Sequence, residues 1–352
     1  MHMADALLSP AVAGTMYVAS ATMAGISIYK LKKEDRLNPN ANTKRLPTMA
    51  IMSALVFAGQ MINYTIPGTG SSGHLCGGLL LSSVLGPFAG FLSMIVILAI
   101  QCLFFADGGL MALGANIWNM AFYGCFLGYF LIYRPIMRSK WKASRGKIIV
   151  ASVLGCVLTL QLGAFSVVLE TSASGITDLP FGAFVALMQP IHLAIGLVEG
   201  LITSAVLLFI HESRPELLHG VERTASGSKL SLKTTLIVIS VAVALIAGGL
   251  SLFASGNPDG LEWSLFGNEE GGYSANMGLD EEDYGNTSAV ADAAASVQEK
   301  TAFLPDYAFA NDGENPAGTT VSGLVGSAMV GLIALGVCFA GGFYRKRKTA
   351  KT

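Results

Sequence analysis

Long apolar stretches, each close to the length of a membrane-spanning helix, dominate this chain. A helix rises about 1.5 Å per residue, so about 20 mostly apolar residues cross the hydrocarbon core of a bilayer. Only 13% of the 352 residues are charged, which is about half the share found in soluble proteins. The sequence therefore predicts an all-α integral membrane protein. The clearest candidate spans are residues 10–29, 47–64, 115–133, 148–170, 181–210, 234–254 and 320–343.

Charged residues are segregated along the chain in a way that predicts its orientation. Four clusters hold 21 of the 22 Lys and Arg residues, and the positive-inside rule places all four in the cytoplasm. Thirteen of the 23 acidic residues fall between positions 259 and 314, so this segment is expected on the outer side. The N-terminus is then outside and the C-terminus cytoplasmic. The basic clusters are residues 30–45, 134–147, 214–233 and 345–351.

The apolar stretch 75–105 is too long for one crossing and contains Gly86-Pro87. Proline cannot continue a helix without losing a backbone hydrogen bond, so we expect two short crossings broken at this dipeptide. The basic loops 30–45 and 134–147 are both expected inside, so this stretch must cross the membrane twice or not at all, and we favour two crossings. The first part of the chain is therefore predicted to be a seven-helix bundle.

The same pattern divides the chain into two parts joined by a linker. Residues 1–213 form the predicted bundle, and residues 214–233 form a polar cytoplasmic linker. Residues 234–352 are predicted as two transmembrane helices flanking an extracytoplasmic acidic loop. Much of this loop, with residues 281–283 near its middle, is expected to be mobile because it is acidic and poor in apolar residues.

The chain begins Met1-His2, and a free amino terminus followed by histidine can chelate a metal. The terminal amine, the amide nitrogen of His2 and its imidazole are three adjacent nitrogen donors. A fourth nitrogen would complete the square plane that suits Ni(II) and Cu(II). No Lys or Arg precedes Lys30, so the start does not resemble a cleavable signal peptide and Met1 is expected to be the mature terminus. The alternative is that His2 follows the start methionine by chance.

The residues before the first helix are long enough to reach into the bundle. Ser9-Pro10 is typical of a helix start, with serine as the cap and proline at the first helical position. The eight residues ahead of it could extend about 26 Å. We therefore expect this leader to carry the amine and His2 to a buried point, although it could instead lie on the outer membrane surface.

A second candidate ligand, His74, ends a loop rich in glycine and serine, residues 67–74. Such a loop can enter a cavity where its polar groups find partners. Histidine is the commonest metal ligand, and imidazole suits nickel. His74 is therefore the candidate for the fourth nitrogen, the alternative being a helix-capping or core histidine.

Further polar residues lie within the predicted spans or at their outer boundary. His192 and Glu199 are seven residues apart on one crossing, hence on one helix face. Ionisable residues within spans are functional candidates. They could orient histidine ligands or line the translocation path, or they could join helices by hydrogen bonds, and both interpretations stay open. The residues of this group are Gln101, Asp107, Asn116, His192 and Glu199.

Several of these segments together resemble the CbiM/NikM family of substrate-capture subunits of energy-coupling-factor transporters for cobalt and nickel. The segments are residues 1–5, 67–74, 101–116 and 190–199. Separately, residues 258–262, which read Pro-Asp-Gly-Leu-Glu, resemble the small two-helix partner subunit (the N component, or PDGLE domain), here fused to the carboxyl side. The resemblance implies a seven-helix bundle with the amino terminus in its centre.

The resemblance also implies the ligands and the role of the chain. The ligands would be the amine of Met1, the amide and imidazole nitrogens of His2, and the imidazole of His74. The chain would capture Ni(II) or Co(II) outside a prokaryotic inner membrane and deliver it inward, so the metal is cargo and no resident cofactor is expected. The choice between nickel and cobalt stays open.

The energy source is expected in other subunits. The sequence contains no G-x-x-x-x-G-K-[ST] nucleotide-binding motif, so the chain is not expected to drive uptake alone. It is expected to be a transporter subunit and not an enzyme. The resemblance implies a transmembrane coupling (T) subunit and cytoplasmic ATPase subunits as partners. The chain itself is expected in the lipid bilayer, and no nucleic acid is expected as a partner. Two other classes stay open, a membrane metalloenzyme using His192 and Glu199, and a metal sensor without transport.

Overall fold

The computed structural model describes ten segments of the chain, and helices account for most of their regular structure. Six helices among the described residues are long and apolar enough to cross a membrane. This confirms an all-α membrane protein. The described segments are residues 1–37, 41–138, 144–176, 179–220, 229–269, 271–272, 277, 288–309, 311–312 and 315–349, without the side chains of 41–44 and 337–349.

The first part of the chain is a bundle of long helices around one apolar core. One of its helices, Leu113–Arg138, is continuous and includes a π-helical segment, Ile117–Tyr133, between the short ends α5 and α6. The helices of this part are α1 (Pro10–Leu37), α2 (Ala41–Gln60), α3 (Gly78–Leu85), α4 (Pro87–Phe105), α5 (Leu113–Asn116), α6 (Arg134–Arg138), α7 (Arg145–Ser174) and α8 (Phe181–Ser213).

The second part packs directly against the first. Its last helix lies along α2 and α4, and α10 contacts α8. Residues 281–283, expected to be mobile, lie outside the described residues. Helices α10 and α11, which belong to the acidic segment, both pack on the bundle. These two portions of the segment therefore have regular structure. The helices are α9 (Leu232–Gly248), α10 (Gly260–Phe266), α11 (Ala289–Thr301) and α12 (Pro316–Thr349).

The predicted helix break at Gly86-Pro87 is confirmed. Helix α3 ends at Leu85, Gly86 adopts a left-handed φ of 84°, and α4 begins with proline in its first turn. Helix α3 has only eight residues, so it is about 12 Å long, less than half the thickness of the hydrocarbon core. The predicted count of seven crossings is therefore not confirmed, because α3 alone is too short to span.

A two-stranded hairpin connects α2 to α3. Strands β1 (Tyr64–Ile66) and β2 (Ser71–Gly73) pair antiparallel, with Tyr64 opposite Gly73. All three residues of β2 are buried, as is the following His74. The hairpin therefore carries the chain from α2 into the interior just before His74.

Helices α7 and α8 approach each other closely because small residues line their contact. A Cβ atom added to Gly200 would lie 2.5 Å from the Cα of Val153, and one on Gly196 would lie 2.9 Å from the Cα of Val157. Glycine permits such backbone approach between membrane helices. This contact fixes the rotation of α8 and keeps the buried Glu199 facing the bundle.

We predict that Gly200→Leu destabilises the bundle, because the new side chain must displace the backbone of α7. The free energy of unfolding should fall by about 1–3 kcal/mol, measured by denaturant titration in detergent. Gly182→Leu on the same helix is the control, since no atom lies within 4 Å of its added Cβ. Equal stability of the two variants would contradict this packing.

Candidate metal site

The amino-terminal leader folds back into the bundle. Met1 and Met3 are 4% and 0% exposed. Asn116 holds Met3 from both sides, since its Oδ1 accepts from the Met3 amide at 2.7 Å and its Nδ2 donates to the Met3 carbonyl at 3.1 Å. The amide of Gly109 donates to the same carbonyl at 2.9 Å. Helix α5 and the loop that precedes it therefore supply hydrogen-bond partners for the backbone of the leader.

The terminal amine lies between His74 and an acidic residue from the second part. Its nitrogen is 3.4 Å from Nε2 of His74 and forms an ion pair with Oδ2 of Asp259. Nδ1 of His74 is 3.0 Å from the carbonyl oxygen of Leu75. A carbonyl can only accept, so Nδ1 carries the proton and Nε2 presents its lone pair towards the amine.

The ring of His2 lies beside that of His74. The two ring centroids are 5.2 Å apart and the planes differ by 20°. Nδ1 of His2 is 3.0 Å from Oδ1 of Asp107, and Nε2 is buried without a hydrogen-bond partner among the described residues. A chelate that includes the His2 amide uses Nδ1, so metal binding there would replace the contact with Asp107.

Charge at the site is set by burial and by Asp259. Burial, reinforced by the nearby ammonium, lowers the pKa of His74 to about 4. The ring is therefore uncharged at neutral pH, as a metal ligand must be. Burial alone would lower the pKa of the Met1 amine, but the carboxylate of Asp259 outweighs it and raises this pKa above its ordinary value.

Glu199 holds the loop that carries His74. Its two carboxylate oxygens accept from the amides of Cys76 and Gly77, each at 2.9 Å. Gly77 has a left-handed φ of 80°, and a Cβ there would lie 2.4 Å from Cγ1 of Val56. Glu199 therefore fixes the backbone just after His74 and does not itself reach the amine.

His192 and Gln101, two further polar residues predicted from the sequence, are both buried. His192 shares a small cavity with Met1, His74 and Asp259. Its Nδ1 is 2.7 Å from the Met188 carbonyl, and its Nε2 has no partner among the described residues. Gln101 is fully buried, and its side chain lies beside His2 and Tyr307.

The arrangement differs from a site built of side chains alone. Among the described residues, no three His, Cys, Asp or Glu side chains converge in a way that could hold a metal ion. Two backbone nitrogens lie beside the two histidine rings, the terminal amine, which is 3.4 Å from Nε2 of His74, and the amide of His2. Such donors are available at a chain terminus that is buried next to histidines.

Sequence reasoning missed the contribution of the second part. The sequence marks Asp259 only as a member of the Pro-Asp-Gly-Leu-Glu motif, and it does not mark Tyr307 or Gln298 at all. The hydroxyl of Tyr307 donates to Oδ2 of Asp107 at 2.5 Å, and Nε2 of Gln298 donates to the Gly108 carbonyl at 2.8 Å. These two contacts join residues about 200 positions apart, and no sequence pattern gave any signal of them.

Comparison with known families agrees with this architecture. The CbiM family, described as a cobalt uptake substrate-specific transmembrane region, matches residues 2–217. The chain belongs to the CbiM family. A PDGLE domain matches residues 233–341. The chain is thus a multi-pass membrane component of a transition-metal transporter.

One relative matches nearly the whole chain, and another matches about two thirds of it. The putative fused nickel transport protein NikMN of Archaeoglobus fulgidus is 35% identical over 341 residues, covering 96% of this chain and 97% of the relative. The cobalt transport protein CbiM of Sorangium cellulosum is 29% identical and covers 65% of this chain and 100% of the relative. These relatives carry names of transport proteins.

A solved structure supports the fold of the first part. A crystal structure of a truncated transition metal transporter superimposes with a TM-score of 0.51 at 32% sequence identity. It covers 60% of this chain and 99% of that chain.

We predict that Glu199→Gln weakens metal binding, because the amide group of glutamine would face one of the two backbone N–H donors. The loop after His74 should loosen, and nickel affinity should fall about tenfold in isothermal titration calorimetry. Glu212→Gln is the control, since Glu212 pairs with Arg145 near the C-terminal end of α8, away from His74. Wild-type affinity in Glu199→Gln would show that the loop needs no such support.

Proposed function

We propose that this chain is the substrate-specific membrane component of an ATP-driven energy-coupling-factor transporter. It captures Ni(II) or Co(II) at the outer side of a prokaryotic inner membrane and delivers it inward. The observation that carries the proposal is the buried terminal amine, 3.4 Å from Nε2 of His74 and next to the ring of His2. The family description and the names of the relatives support the class of metal.

Four nitrogens form the proposed ligand set, the amine of Met1, the amide and imidazole of His2, and the imidazole of His74. A square plane of nitrogen donors favours nickel or cobalt over magnesium and calcium, which prefer oxygen. Copper would bind more tightly still, so selection depends partly on which metal is available. The surrounding residues Asn116 and Glu199 would hold the segments that carry these donors, and Asp107 would orient the His2 ring until the metal takes its place.

The remaining parts of the proposal concern partners and topology. A transmembrane T subunit and cytoplasmic ATPase subunits would drive release of the metal inward. The amino terminus would lie outside and the basic tail, residues 345–351, in the cytoplasm. Residues 1–213 would capture the metal, and residues 234–352, joined through 214–233, would assist loading.

We predict that His2→Ala abolishes nickel binding, because the imidazole and its chelate ring are both lost. Isothermal titration of the purified chain measures this, with His211→Ala, near the C-terminal end of α8, as the control. His74→Ala should weaken binding strongly while the bundle stays folded.

Two residues added ahead of Met1 should be as harmful as His2→Ala, since they move the amine away from His74. Tight binding by His2→Ala, or normal uptake by a chain extended at its amino terminus, would rule out the terminal chelate.

Uptake into cells tests the transport role itself. Radioactive nickel or cobalt should accumulate only when the T and ATPase subunits are expressed with this chain. Metal-dependent turnover of a substrate without those partners would indicate an enzyme instead. Metal binding without any uptake, even with the partners, would favour a sensor.

A further inference from the structure

We propose that Asp259 is a positioning residue of the metal site, supplied by the second part of the chain. This inference rests on the proposed terminal chelate and deepens it. Oδ2 of Asp259 forms an ion pair with the amine of Met1, and both groups are largely buried, with side chains 16% and 3% exposed. The carboxylate therefore determines where the amine lies relative to His74.

The carboxylate is oriented by its own helix. Asp259 caps α10, and its Oδ1 accepts from the amides of Leu261 at 2.7 Å and Glu262 at 3.0 Å. Glu262 completes the capping box by accepting from the Asp259 amide at 3.1 Å. One oxygen is thus committed to the cap, and the other is left for the amine.

The segment before the helix is pinned to the loop that leads to His74. The carbonyl of Pro258 accepts from the amide of Ser72 at 2.8 Å, and the carbonyl of Asn257 accepts from the Ser72 hydroxyl at 2.8 Å. Ser72 is fully buried and lies two residues before His74. The same hydrogen bonds that seat Asp259 therefore tie it to the loop of a proposed metal ligand.

Gly260 lets this turn reach the site. A Cβ atom added there would lie 2.7 Å from Cγ2 of Ile191 and 3.0 Å from Cε1 of His192. Each of the first four positions of the motif thus contributes in a different way. Pro258 binds the loop, Asp259 holds the amine, Gly260 allows close approach, and Leu261 is buried at 2% exposure.

The carboxylate of Asp259 can accept a hydrogen bond from the Met1 amine whether or not a metal is bound to that amine. An ammonium group can donate three hydrogen bonds, and an amine bound to a metal still carries two N–H groups. Asp259 can therefore accept from the amine in both cases, as carboxylates do for metal-bound histidines. Its negative charge also offsets the positive charge of a divalent ion held away from water.

The test compares nickel affinity in the full-length chain carrying Asp259→Asn or Asp259→Ser. Both replacements are good helix caps, so α10 should persist while the negative charge that faces the amine is removed. We expect affinity to fall about 10-fold to 100-fold by isothermal titration calorimetry. Glu269→Gln is the matched control, because Glu269 is an exposed acidic residue just beyond α10, and its affinity should stay at the wild-type value.

A second measurement reports on the amine directly. Mild acylation followed by mass spectrometry gives the modification rate of Met1, which should rise in both Asp259 variants and stay unchanged in Glu269→Gln. Unaltered thermal unfolding alongside this change separates positioning from a general loss of structure. If a variant does not fold, slow acylation of the wild-type amine relative to a chain unfolded in denaturant still tests whether the amine is held.

The possible failures are distinguishable. If the wild type binds nickel and loses it in His2→Ala, yet both Asp259 variants bind as the wild type does, the chelate stands and the role of Asp259 is wrong. Tighter binding by the variants would also overturn the inference, since it would make Asp259 a competitor of the metal. If the wild type itself binds neither nickel nor cobalt, the proposed function fails first.

Discussion

The arrangement of the candidate metal site depends on the positive charge of the buried amino terminus. An ammonium group inside an apolar bundle is costly unless an opposite charge and hydrogen bonds meet it. Met1 is buried, and its ionic partner Asp259 comes from the other part of the chain. The leader, the hairpin before His74 and the capped turn at α10 must therefore all meet at one point for any of them to be stable there.

The leader poses a second problem, because most of it lies outside any helix or strand and its backbone groups still need partners. Helix α5 and the loop before it supply these partners. Asn116 and Gly109 contact the backbone of Met3, and Oδ1 of Asp5 accepts from the amide of Ala112 at 2.9 Å. These contacts bind the backbone of Met3 and the carboxylate of Asp5. They explain why a segment with little regular secondary structure can be held in a defined place.

Local chemistry made some features predictable from the sequence and left others hidden. The start of α1 at Pro10 and the break at Gly86-Pro87 follow from what proline does to its own backbone. The length of α3 was not predictable, because the apolar run 75–105 gives no sign that its first three residues continue the loop from His74 and that the helix begins only at Gly78. Asp259 escaped notice as a site residue because its partner is 258 positions away, and a capping aspartate looks the same in sequence whatever its second oxygen contacts.

The fusion of the two parts into one chain gives the ion pair at Met1 a thermodynamic advantage. Helices α9 and α12 pack along α2, so the segment bearing Asp259 is tethered beside the bundle. A tethered group has an effective concentration far above that of a free subunit at cellular levels. The carboxylate is then present at each amine in a one-to-one ratio, however scarce the protein is, whereas separate subunits would leave a fraction of termini without a counter-charge upon dilution.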